Sequence, residues 1–86
     1  MIDIYSLVQT CVGAPSQWEA VTDRGCPVYI RYRHGELSVR VGPEGGTIMD
    51  AVCGTIIFDQ EVGEGMGSML LWEEVMDATG MRLVSA

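Results

Sequence analysis

The amino-acid sequence predicts an α+β domain, an antiparallel meander of three to four strands with two helices packed on one face. Three observations carry that expectation. Residues 19–41 alternate apolar and polar side chains around two turn signals. Residues 2–12 and 68–79 space their apolar side chains by three and four, the period of a helix face. The 86 residues, 48% hydrophobic and 20% charged, have the length and composition of one ordered domain spanning 1–86.

The first helix is expected over residues 2–12, with Ile4, Leu7, Val8, Cys11 and Val12 on one side and Gly13 and Pro15 as its stop. The meander follows. A two-residue turn at His34-Gly35 pairs Arg33 with Glu36, Tyr32 with Leu37, Arg31 with Ser38, Ile30 with Val39, Tyr29 with Arg40 and Val28 with Val41. Apolar pairs then share one face and polar pairs the other, an agreement that a one-residue slip would destroy. For the first hairpin, a turn through residues 23–27 with a bulge at Gly25 sets Trp18 opposite Tyr32, Ala20 opposite Ile30 and Glu19 opposite Arg31. A tighter alternative would bury Glu19, which is costly for an unpaired carboxylate.

Thr47 reads as the N-cap of one or two helical turns ended by Gly54. Residues 55–62 alternate as a fourth strand, with Ile56, Phe58 and Val62 on one face and Asp59 and Glu61 on the other. After the glycines at 63, 65 and 67, Ser68 caps a second helix closed by Gly80. Its stripe is Leu71, Trp72, Val75 and Met76, and Glu73, Glu74 and Asp77 lie opposite. Residues 81–84 can form a last strand.

Charge narrows the function classes. The formal net charge is −7, and there is no lysine. Residues 1–40 are balanced, whereas residues 41–81 hold eight acidic side chains and no basic one. That balance opposes direct binding to nucleic acid or to an anionic membrane, where Lys and Arg do the neutralising. It favours a partner with a basic surface, or serves solubility alone. The start of the chain lacks a basic n-region and no apolar run reaches the length of a membrane span, so a cytoplasmic protein is expected. Cys11, Cys26 and Cys53 suggest free thiols, with Cys11 and Cys53 in the core.

Catalytic and cofactor patterns fail one by one. The glycines before Ser68 resemble a phosphate loop only superficially, because the P-loop lysine is missing and Glu64 would repel a phosphate. Cys26 and His34 fall at opposite ends of one expected strand, roughly 26 Å apart, too far for a nucleophile and its base. The acids at 59, 61 and 64 do not match a calcium loop. No metal, cofactor or enzymatic activity is therefore expected, although paired carboxylates alone could still act as acid and base. What remains is the acidic surface of Asp59, Glu61, Glu64, Glu73, Glu74 and Asp77 as a partner-binding site.

One compact domain of helix and strand, strongly acidic from Asp59 to Asp77 and without a catalytic motif, resembles the small phage-encoded anti-CRISPR proteins in overall kind. Several of that class are DNA mimics. The resemblance implies an inhibitor in a bacterial host cytoplasm that places carboxylates in the basic nucleic-acid groove of a CRISPR effector complex. The other expectation is an assembly module, a homodimer joined through the sheet face that carries Tyr29, Val21 and the arginines. The arginines themselves are expected to be neutralised locally, Arg33 by Glu36 and Arg31 by Glu19, with Tyr29 stacked on Arg40.

Overall fold

The computed structural model describes residues 3–11, 16–33, 35–62 and 72–84. Their elements run β1 (Asp3–Cys11), β2 (Ser16–Thr22), β3 (Pro27–Arg33), β4 (Glu36–Val41), α1 (Ile48–Val52), β5 (Thr55–Glu61), α2 (Trp72–Thr79) and β6 (Arg82–Leu83). All six strands join one curled sheet in the order β5-β4-β3-β2-β1-β6. This corrects the expected fold class. The described residues are mostly strand, with six strands rather than three or four and only two short helices, so this is not a pair of helices packed on a small sheet.

The largest departure is β1, expected as a helix. Its apolar spacing imitates a helical period because the strand contains two register shifts, one between Tyr5 and Val8 and one between Gln9 and Cys11. Each bulge inserts a residue and moves the two-residue alternation out of phase. Ile4 is fully buried and Leu7 packs against the same core, three residues apart on one face of a strand. Ser6 takes a φ of 54° at the first shift, a left-handed conformation that costs a non-glycine residue about 1–2 kcal/mol. The expected stop at Gly13 and Pro15 lies outside the described residues.

The β3–β4 hairpin has the expected register at all six pairs. His34 lies outside the described residues, while Gly35 supplies the left-handed φ of 79° that this turn needs. The β2–β3 register differs from expectation by two residues, with Trp18 opposite Ile30, Ala20 opposite Val28 and Glu19 opposite Tyr29. The turn is tighter because the Thr22 hydroxyl accepts hydrogen bonds from the N–H groups of Arg24 and Cys26, closing the loop locally. A shift of two preserves sidedness, so Trp18 and Ala20 remain buried and no carboxylate is forced inward.

Ile4, Trp18, Ala20, Val28, Ile30, Tyr32, Leu37 and Val39 form the strands' contribution to the core. Val75 of α2 closes it, with Trp72 tilted against Trp18 at 5.9 Å between ring centroids. The tyrosine hydroxyl of Tyr32 donates to the carbonyl of Val62 at 2.8 Å, satisfying the polar end of a buried ring. The part of the second expected helix before Trp72, including Ser68 and Leu71, lies outside the described residues, as does the glycine turn. β6 pairs in parallel with β1, and Arg82 meets Asp3 at 3.1 Å across that edge.

α1 begins at Thr47 as expected, and its capping box is completed by Asp50, whose carboxylate accepts from the Thr47 N–H at 2.8 Å. Its one buried residue, Ala51, is not part of the main core cluster. Ile48 instead shares a shallow cleft with Val8, Glu19 and Val21, which belong to the sheet face away from the core. Cys53, expected in the core, is exposed at the helix end, and Cys26 is half-buried. The expectation for the Cys11 side chain lies outside the described residues.

The two readings of β1 separate in a stability measurement. Ile4→Ala is expected to cost about 2–5 kcal/mol in urea unfolding because it empties a filled core site. Val8→Ala, in the same segment but 57% exposed, should change stability by no more than about 0.5 kcal/mol. A helix buried through both residues would lose comparable stability at each.

Candidate functional site

Alternation along β3 and β4 puts every second side chain on the face opposite the core. Arg31 and Arg33 project there from β3, Glu36, Ser38 and Arg40 from β4, and Asp59 and Glu61 from β5. Together these seven residues line a shallow open basin of about 510 Å³. Pairing sets Glu61 beside Glu36 and Asp59 beside Ser38. The basin is thus built by three adjacent strands, with cations concentrated on β3 and anions on β5.

Asp59 and Glu61 reach this face by regular alternation, and a register shift between Val39 and Arg40 changes the phase only in the first part of β5. Phe58 sits opposite Val39 and faces the core, but beyond the shift Ile56 pairs with Arg40 and falls on the basin side. Ile56, expected to share a face with Phe58, is 45% exposed for that reason. Most of β5 is exposed, as suits the terminal strand of a sheet, and its two carboxylates discourage edge-to-edge pairing.

The expected local neutralisation does not occur. Glu19 faces Tyr29 rather than Arg31, whose cross-strand neighbours are Gln17 and Ser38. Arg33 has Glu36 opposite in register, yet no ion pair within 4.0 Å forms to Arg31, Arg33 or Arg40 among the described residues. Nor does Tyr29 make a ring contact with Arg40 among those residues. The Nε of Arg31 is buried without a hydrogen-bond partner among them. The carboxylates crowd one another instead. A hydrogen bond with Asp59, then the charges of Asp59 and Glu61, raise the pKa of Glu36 above its ordinary value of 4.5.

The sequence-predicted contact residues are therefore divided between two layers. Asp59 and Glu61 stand among arginines on the basin face, whereas Glu73, Glu74 and Asp77 are exposed on α2, which packs against the core face through Val75. Glu64 lies outside the described residues. The acids do not form one continuous row. Sequence reading missed that Glu36 and the arginines belong with Asp59 and Glu61, although the correctly read β3–β4 register already placed Arg31, Arg33, Arg40 and Glu36 on one face. What it lacked was the neighbour of β4.

Among the described residues no group of three or more His, Cys, Asp or Glu is arranged to hold a metal ion. No described helix is long and apolar enough to cross a membrane. Comparison with protein-family models, with curated proteins and with solved structures finds no match to this chain.

The Glu36 carboxyl gives the basin a pH signature. A raised pKa means the folded state holds its proton more tightly than the unfolded chain, so this contribution to stability is complete below the ordinary pKa and is lost as pH rises through the folded value. Glu36→Gln should remove that decline. In urea unfolding followed from acidic to neutral pH, the variant is expected to gain on the parent protein as pH rises; identical slopes would mean that Glu36 and Asp59 do not share a proton.

Proposed function

We propose that this chain is a non-enzymatic inhibitor that docks an acidic surface against a basic, nucleic-acid-binding surface of a partner protein in a bacterial cytoplasm. That is the manner of the DNA-mimicking anti-CRISPR proteins it resembles. The observation that carries this reading is where the net charge resides. The basin's three arginines offset its three carboxylates, and Arg82 offsets Asp3, so the whole formal charge of −7 is borne by the rest of the chain.

Among the described elements, α2 concentrates this charge. Glu73, Glu74 and Asp77 are exposed, and no basic residue occupies the helix's last turn. Glu73 and Glu74 suit the positive end of the helix dipole, so the fold alone accounts for them. Asp77 does not, because it lies toward the negative end, one turn after Glu73, and both placements weaken the helix by a few tenths of a kcal/mol. Partner binding supplies a reason to keep it there. The expected contact set accordingly narrows to Glu73, Glu74 and Asp77, while Asp59 and Glu61 belong to a neutral face.

Such contacts act over long range and are screened by salt, accelerating encounter with a basic groove and excluding nucleic acid from it. The test immobilises the chain and passes a nuclease-treated bacterial lysate over it at low and at high salt. A nucleic-acid-handling complex retained at low salt and released at high salt is the expected outcome. Glu73→Lys, Glu74→Lys and Asp77→Lys together should weaken that retention at least about tenfold with unchanged circular dichroism. Retention that survives the triple reversal, or no such complex at any salt, would overturn the reading.

A further inference from the structure

Arg31, Arg33 and Arg40 are left without ion pairs in a basin that also holds Glu36, Asp59 and Glu61. Arg33 stands opposite Glu36 without pairing to it, and the sheet holds both arginines of β3 away from the acids of β5. Arg31 and Arg33 stand on β3 and Asp59 and Glu61 on β5, with β4 between, so the two charged columns are two strand spacings or about 10 Å apart. Tyr29 and Ile56 extend the same columns by one row, on either side of Arg40.

We propose that this face is the interface of a homodimer, in which the β3 column of each copy lies over the β5 column of the other. A second copy matches the spacing by construction. Three two-fold arrangements are open to a sheet of this kind, and charge decides among them. An axis across the strands lays Arg over Arg and acid over acid. Edge-to-edge pairing of two β5 strands brings the carboxylates of Asp59 and Glu61 toward their own copies. An axis running along β4 exchanges the columns, setting Arg31 over Asp59, Arg33 over Glu61 and Tyr29 over Ile56.

Face-to-face sheets pack about 10 Å apart, a gap that arginine and carboxylate side chains bridge from opposite sides. The guanidinium of Arg31, which makes no ion pair among the described residues of its own chain, gains a carboxylate, and Asp59 gains a counter-charge in place of the Glu36 carboxyl alone. Arg40 and Glu36, both on β4, each meet their own copies near the axis, where the two facing basins leave room for water. The dimer is consequently a salt-sensitive one held by charge and two apolar contacts. It leaves the acidic face of α2 unused and stands independently of the inhibitor reading.

Sedimentation equilibrium of the full chain at low and high salt tests it, using two charge-swapped variants. One carries Arg31→Glu with Arg33→Glu, the other Asp59→Arg with Glu61→Arg. The parent chain should be dimeric at low salt and dissociate as salt rises. Each variant alone should dimerise at least about tenfold more weakly, and an equimolar mixture should restore a heterodimer, since every column then faces its opposite. Restoration also shows that both variants fold. A parent chain that stays monomeric at millimolar concentration, variants that dimerise as well as the parent, or a mixture that stays monomeric would each overturn the proposal.

Discussion

The pairing of β3 with β4 is the constraint on which the rest of this structure depends, because six consecutive cross-strand pairs assign each side chain of the central hairpin to one of two faces. Ile30, Tyr32, Leu37 and Val39 go inward, where burial of each is worth roughly 1.5–3 kcal/mol. Arg31, Arg33, Glu36 and Arg40 go outward by the same alternation. Core and charged basin are two sides of one register. A slip by one residue would turn inward either Arg31 and Arg33 of β3 or Arg40 and Glu36 of β4, burying unpaired charge in both cases.

Phase shifts elsewhere modify what that hairpin sets up. In β1 two bulges keep Ile4 and Leu7 on the core while releasing Val8 to the opposite face. In β5 one bulge keeps Phe58 on the core while turning Ile56 toward the basin. Both curl the sheet and break a clean two-residue alternation. A bulged strand spaces its apolar residues by three as well as two, so β1 is hard to tell from a helix by periodicity alone. Its Ile, Tyr, Val and Thr content favoured a strand, but that is a weak preference beside pattern.

Charge is sorted by the same geometry. The basin gathers arginines from one strand and carboxylates from another without pairing them, and the excess of acid accumulates where the hairpin does not reach, on α2 among other places. Two surfaces with different electrostatic character result. One is neutral but dipolar, suited to a self-complementary contact; the other is uniformly anionic, suited to a basic partner.

Local patterns were legible from the sequence because their causes are local. The β3–β4 register follows from alternation and a two-residue turn, the start of α1 from the Thr47–Asp50 capping box, and the amphipathic face of α2 from its three-and-four spacing. The sidedness of β2 was legible too, even with its register two residues off, since a shift of two leaves every side chain on its own face. Tertiary structure alone decided that residues 3–11 form a strand, that residues 82–83 extend the sheet beside it, and that β5 lies against β4 rather than elsewhere. Those outcomes depend on long-range backbone pairing and on bulges that only a neighbouring strand defines. For the same reason a sequence can show which residues are acidic, while only the sheet order determines whether a given carboxylate stands among arginines, as Asp59 does, or alone in water, as Asp77 does.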